Sequence, residues 1–226
     1  MNKTKGLLLT AGIVLAMTFT FSCSGDDGGG EEEGGQKGII QGTPVTYEGE
    51  TYPTVIIGSQ TWFAKNLNYN ASGSKCYGGD PANCTIYGRL YDWETAKTAC
   101  PSDWHLPSQA EWDTLSNYVK SNGGDCNVCD AKLLKATSGW AYNEYLEAYG
   151  NGTDQYGFSA LPGGYGSSGG SGDYFFNVGD YGYWWSADEY SSARAWFLEM
   201  YYMWTYARWE YDYKSVLLYS VRCIKD

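Results

Sequence analysis

Histidine is nearly missing from this chain: His105 is the one imidazole among 226 residues. A zinc or mononuclear iron site built on several histidines therefore has little support. Basic residues are scarce as well. Fifteen lysines and arginines face 26 acids, and a formal net charge of −11 leaves no basic surface to neutralise phosphates, so nucleic acid is not an expected partner. Aromatic residues, in contrast, are abundant. Ten Trp, 22 Tyr and 7 Phe supply far more buryable surface than a disordered chain carries. The length suits one domain of about 180 residues plus extra segments.

The amino terminus reads as a targeting segment. Lys3 and Lys5 form a positive head, Gly6 to Phe21 is almost wholly apolar, and Ser22-Cys23 follows at once. Such a run is too short and wrongly flanked for a stable membrane-spanning helix. A small residue directly before a cysteine resembles the lipobox of bacterial lipoproteins, which implies lipidation at Cys23, although Thr20 and Phe21 depart from the usual pattern. The competing reading is an ordinary signal peptide with Cys23 incidental. Removing residues 1–22 takes away two lysines and no acid, so acyl chains rather than basic residues would hold the chain to an anionic membrane.

Residues 23–42 continue as a glycine-rich, acidic tether with almost nothing to pack, leaving 43–226 as the folded domain. Acids just after the lipid cysteine also resemble the surface-export signal of Bacteroidetes-type lipoproteins. This implies an outer-membrane, surface-exposed location; an ordinary soluble linker is the alternative.

Cysteine usage fits an oxidising compartment. With Cys23 set aside, six cysteines allow 15 pairings. Cys76 and Cys84 flank a polar turn segment and pair most simply with each other. Cys126 and Cys129 follow Asn122-Gly123-Gly124 and suit a local bridge, which leaves Cys100 with Cys223. A thioredoxin-like role for Cys126 and Cys129 lacks its βαβ setting.

Local signals place a few elements. Thr54 to Ala64 is β-rich and broken at Gly58-Ser59, a hairpin pattern. Asp92 caps a helix through Cys100 that is stopped by Pro101. Ser108 and Glu111 form a capping box for a second helix, with Trp112, Leu115 and Val119 on its buried face and Gly123-Gly124 at its end. From Trp140 to Tyr190 the density of glycine predicts long loop in place of regular structure, ordered by its many aromatics. Ala195 to Met203, Tyr206 to Tyr211 and Leu217 to Ile224 read as closing antiparallel strands.

Five stretches together carry a resemblance. Thr54 to Asn68, Tyr87-Gly-Arg-Leu-Tyr-Asp-Trp93, Cys100 to Trp112, Gly157-Phe-Ser-Ala-Leu-Pro-Gly163 and Ser220-Val-Arg-Cys-Ile-Lys-Asp226 resemble the Fibrobacter succinogenes major paralogous domain over residues 45–226. Asp103 stands where that family usually has glycine. More distantly, the pattern resembles the C-type-lectin-like and formylglycine-generating-enzyme folds. The resemblance implies an exported α+β domain of lectin-like type, with two main helices, antiparallel strands and long Gly- and aromatic-rich loops. It implies no settled activity.

Enzyme readings fare poorly. The formylglycine-generating oxidase needs a reactive cysteine pair near the carboxyl end, where only Cys223 lies. Glycoside hydrolysis needs two carboxyls about 5 to 9 Å apart, and no spacing among Glu144, Glu147, Asp154, Asp173, Asp180, Asp188 and Glu189 fixes such a pair. Oxygen ligands such as Asn151, Asp154 and Asp173 leave a structural calcium ion open. The tripeptides by which lectins of this shape read sugars through calcium are absent, so no cofactor is expected.

The strongest remaining feature is the aromatic residues themselves. Seven rings fall within Tyr201 to Tyr213, and on a strand Tyr202, Trp204 and Tyr206 would share one face. Trp209 belongs to the same run. In the expected loop, Tyr165, Tyr174, Tyr181, Tyr183 and Trp184 are free to meet a ligand, whereas Trp62, Trp93, Trp104, Trp112 and Trp185 are assigned to the core. Flat amphipathic rings can stack on neutral sugars or anchor a protein. The expectation is a non-enzymatic surface module that binds extracellular or plant cell-wall glycan; the alternative is a protein-interaction or adhesion scaffold of the cell envelope.

Overall fold

The computed structural model describes residues 38–124, 128–169 and 172–226. The expected signal segment, Cys23, most of the tether and the Cys126 half of the expected Cys126–Cys129 bridge lie outside the described residues. The remainder is an α+β fold rich in antiparallel sheet.

Strands β1 (Val45–Tyr47) and β2 (Glu50–Tyr52) form a small hairpin, and β3 (Thr54–Ile57) and β4 (Gln60–Phe63) form the hairpin expected around Gly58-Ser59. Helix α1 (Pro81–Tyr87) was not foreseen, although Asp80 caps it and Pro81 opens it in the usual manner. It carries Cys84, which is bonded to Cys76. Next come β5 (Leu90–Tyr91) and α2 (Trp93–Ala99), whose cap is Asp92 accepting from the Thr95 amide.

After the short β6 (Trp104–His105), the capping box forms as expected. The Ser108 side chain accepts from the Glu111 amide while Glu111 accepts from the Ser108 amide, and α3 (Gln109–Asn122) buries Trp112, Leu115 and Val119. Short α4 (Asp130–Leu134) follows, then the β7 (Tyr142–Asn143) and β8 (Ala148–Tyr149) hairpin.

The stretch expected to be loop is largely strand. It contains β9 (Gly163–Gly169), β10 (Gly172–Val178) and β11 (Tyr181–Glu189). Two of its glycines sit where neighbours lie too close for a side chain. A Cβ on Gly182 would come within 2.3 Å of the Trp184 ring, and one on Gly164, whose φ is +64°, within 2.3 Å of the Phe176 carbonyl. Glycine here makes room between crowded aromatic strands.

The closing strands are β12 (Arg194–Tyr201), β13 (Ala207–Tyr213), β14 (Leu217–Ser220) and β15 (Ile224–Lys225). The main sheet runs β10-β9-β14-β11-β12-β13, with β5 on β14. The second sheet runs β3-β4-β15-β6. What was read as one terminal strand therefore splits between two sheets, and the Cys100–Cys223 bond forms at the break.

One face of the main sheet packs Trp184, Leu198 and Met200 against α3 and its Trp112. On the opposite face Trp185, Ala195, Phe197 and Tyr219 share a core with Trp93 and Ala96 of α2. The two indoles are tied to main chain: Trp93 Nε1 donates to Ser186 O at 2.8 Å, and Trp185 Nε1 to Tyr91 O at 2.8 Å. Of the five tryptophans assigned to the core, Trp62, Trp93, Trp112 and Trp185 are buried and Trp104 is half-buried.

His105 is a satisfied structural residue. Its Nδ1 faces Asp226 Oδ1 at 2.5 Å and its Nε2 faces Glu111 Oε1 at 2.8 Å. Burial pulls its pKa down, but the hydrogen bonds to Asp226 and Glu111 outweigh this and raise it above the ordinary 6.5. A raised folded pKa gives stability that is complete below the unfolded value and is lost as pH rises through the folded one. The stability difference between the native chain and His105→Gln is therefore expected to be largest below about pH 6.5 and to shrink above it. Urea titrations across that range check this, and a difference independent of pH would refute the ion-pair role.

Candidate functional site

Strand alternation puts odd-numbered residues of β11 and β12 on the α2-side face of the main sheet. Tyr181 lies opposite Tyr201, Tyr183 opposite Glu199 and Trp185 opposite Phe197; on β13, Arg208 lies opposite Glu199 and Glu210 opposite Phe197. Helix α2 covers only the Trp185 end of this face. The other end opens into a cleft of about 490 Å³ lined by Tyr165, Tyr183, Phe197, Glu199, Arg208 and Tyr219, among others.

A ladder of tyrosines runs into it, two of which, Tyr183 and Tyr219, line the cleft. Ring centroids are 4.3 Å apart for Tyr201 and Tyr181, 5.3 Å for Tyr181 and Tyr183, and 5.2 Å for Tyr183 and Tyr219, all close to parallel. Tyr165 meets Tyr183 edge-on at 5.4 Å and Phe176 at 5.1 Å. Such offset and edge contacts fix the rings by about 0.5–1.5 kcal/mol per pair beyond the area they bury. Burial raises the pKa of Tyr165, Tyr181, Tyr183 and Tyr219, and pushes Tyr201 up to about 12. The hydroxyls therefore stay neutral across physiological pH and act as hydrogen-bonding groups. Asn177 Nδ2 donates to the Tyr183 hydroxyl at 2.9 Å.

The rim is polar and mostly acidic. Arg208 Nε donates to Glu199 at 2.7 Å and lies 3.2 Å from Glu210, while the Tyr219 hydroxyl is 3.4 Å from Asp212 Oδ2. Glu199 is 5% exposed, and burial raises its pKa despite the adjacent guanidinium. Arg208 is thus committed to the wall, holding a desolvated carboxylate in place.

The expected ligand-facing residues divide. Tyr165 and Tyr183 line the cleft, and Tyr181 stacks on Tyr183 beside it. Tyr174 pairs opposite Ser167 on β10 and is 51% exposed. Trp184 is a correction: it points to the other face, is fully buried, and donates to Asn66 Oδ1 at 2.9 Å. Tyr183, read as free to meet a ligand, is only 7% exposed and offers the cleft little beyond its edge.

The supposed row of Tyr202, Trp204 and Tyr206 is a second correction, because β12 ends at Tyr201 and the three fall in the turn before β13. There Trp204 and Tyr206 stack at 5.2 Å, and Tyr202 and Trp204 line a separate cavity beside the β7–β8 hairpin. Trp209 turns away from the cleft toward the α3 core, its Nε1 donating to Asp113 at 2.9 Å.

The reading of the sequence missed Phe197, Glu199, Arg208 and Tyr219 as cleft residues, and Tyr201 as the ring that stacks on Tyr181. The signal was period-two spacing, with Tyr181, Tyr183 and Trp185 in one strand and Phe197, Glu199 and Tyr201 in the next.

Among the described residues no group of three or more His, Cys, Asp or Glu side chains is placed to hold a metal ion. The oxygens considered for calcium are hydrogen-bonded: Asn151 Oδ1 accepts from the Trp140 amide, Asp154 from Ser159, and Asp173 from Ser168 and Lys75.

Residues 55–225 match the family described as the Fibrobacter succinogenes major domain, and the chain belongs to that family. Comparisons with curated proteins and with solved structures found no match.

Proposed function

We propose that the chain is an exported surface lipoprotein whose lectin-like domain recognises extracellular glycan without turning it over, the tyrosine cleft being its binding face. The observation that carries this reading is the near-parallel ladder Tyr201, Tyr181, Tyr183 and Tyr219, open at one end of the sheet and bordered by polar groups. The ladder holds the half-exposed rings of Tyr165 and Tyr181 in place, so that they would pack against a sugar with little ordering cost, while neutral phenols and the carboxylate rim bond hydroxyls. The cleft offers no cysteine, serine or histidine nucleophile, and its most buried carboxylate is tied to Arg208.

Depletion on insoluble cellulose, xylan and chitin tests the reading. Retention is expected on at least one, with Tyr165→Ala and Tyr181→Ala each weakening it about five- to tenfold, the equivalent of roughly 1 kcal/mol per stacked ring. Negligible retention on all three would reject it, and capture of a cell-envelope protein in its place would establish the scaffold alternative.

A further inference from the structure

A second cavity, of about 210 Å³, lies between the β7–β8 hairpin and the β12–β13 turn. Its apolar walls come from Leu146, Tyr149, Tyr202, Met203 and Trp204, and its polar groups include Lys132, Lys135 and Asn143. No carboxylate lines it, which is notable in a chain of net charge −11.

Two of its polar residues are almost completely buried. Lys135 is 1% exposed; its Nζ donates to the carbonyls of Tyr201 and Trp204 and lies 4.5 Å from the Trp140 ring. Asn143 is 3% exposed. Its Oδ1 accepts from the amides of Tyr145 and Leu146, which leaves Nδ2 without a partner. A buried donor with no acceptor costs about 1–3 kcal/mol, which an incoming acceptor would recover. Lys132 is exposed at the mouth and makes no ion pair among the described residues.

We infer that this cavity binds a single ring-sized molecule bearing a carboxylate, with Lys132 and Lys135 facing the charge, Asn143 Nδ2 donating to it, and Trp204 and Tyr149 flanking the ring. The volume sets the size, since cavities for drug-sized ligands run from about 300 Å³ upward. The lining sets the sign: no carboxylate lies in it, and its charge-bearing side chains are two lysines, of which buried Lys135, its pKa lowered by burial to about 7, would be held in the ammonium form by an incoming carboxylate. Gly150 keeps the wall close, because a Cβ there would meet the Tyr202 carbonyl at 2.4 Å. The site is separate from the tyrosine cleft and does not depend on its function.

Titration calorimetry on the full chain tests the inference, with D-galacturonate, its trimer and neutral D-galactose as probes. Saturable binding of galacturonate, at least tenfold tighter than galactose, is expected. Lys132→Met changes a surface residue and keeps the fold, so a tenfold loss with that variant places the carboxylate at the mouth; Asn143→Leu should act in the same direction. Tyr165→Ala, in the other cleft, should leave galacturonate binding unchanged. Equal affinity for monomer and trimer assigns the free acid as ligand, and a tighter trimer assigns the end of an acidic chain; either supports the site. No saturable galacturonate binding, equal affinity for galactose, or indifference to Lys132→Met would overturn it.

Discussion

Arg222→Leu is expected to lose about 3–5 kcal/mol of folding stability, a large share of the roughly 5–15 kcal/mol that holds a typical domain folded. Arg222 is fully buried and, among the described residues, has no carboxylate partner within hydrogen-bonding reach. It holds the structure through neutral acceptors. Nε and one terminal nitrogen donate to Asn66 Oδ1 at 3.1 and 2.8 Å, the other terminal nitrogen donates to the carbonyls of Phe63 and Phe158, and the guanidinium lies 4.4 Å from the Phe158 ring.

Leucine would spare the cost of burying a charge but would take the arginine's donors from the Phe63 and Phe158 carbonyls, each worth about 1–3 kcal/mol when left dry, while Asn66 Oδ1 keeps the Trp184 indole. Burial lowers the arginine's pKa, yet the group remains a cation at neutral pH. Arg222→Lys keeps the charge with donors radiating from one nitrogen, so it should recover only part of the loss. Urea unfolding of the three proteins checks the order. A leucine variant as stable as the native chain would show that these acceptors find other donors.

Removing the Cys100–Cys223 bond as a double alanine variant should cost about 4–5 kcal/mol, against about 2.5 for Cys76–Cys84. The difference comes from the loops that each closes, 123 residues in one case and 8 in the other. A long cross-link denies the unfolded chain far more conformations than a short one. For a domain of this size the first loss lowers the melting temperature by roughly 10–20 °C, and the second by about half as much. Thermal unfolding of both double variants decides the matter; equal shifts would mean that the unfolded chain is already compact across the long loop.

Signals that act over a few residues were legible in the sequence. Asp92, the Ser108 and Glu111 pair, and Gly58-Ser59 each satisfy or bend nearby backbone, and the structure uses each as expected. The two cystines described also pair as read. Long-range pairing was not legible in the same way. Glycine between Trp140 and Tyr190 reads locally as a breaker, but Gly164 is made necessary by the β10 backbone and Gly182 is hemmed in by the Leu161 carbonyl as well as by Trp184 of its own strand, and the contacts with β10 and Leu161 exist only after the chain has folded. The candidate cleft was half visible for the same reason. Tyr165, Tyr181 and Tyr183 were chosen because they are aromatic, and Trp184 was chosen with them, because only the partner strands decide which side of β11 is open. Arg222 stood inside a family-like motif, but nothing in Ser220-Val-Arg-Cys223 announces that its arginine reaches Asn66 and Phe158.

The chain supplies the middle of both sheets last. Within one stretch of nine residues, β14 enters the main sheet between β9 and β11, and β15 enters the other between β4 and β6. During synthesis from the amino end, everything before them emerges with two vacant central slots. Neither sheet can close without these nine residues, so the strands on either side of each slot stay unjoined until this single short segment is in place.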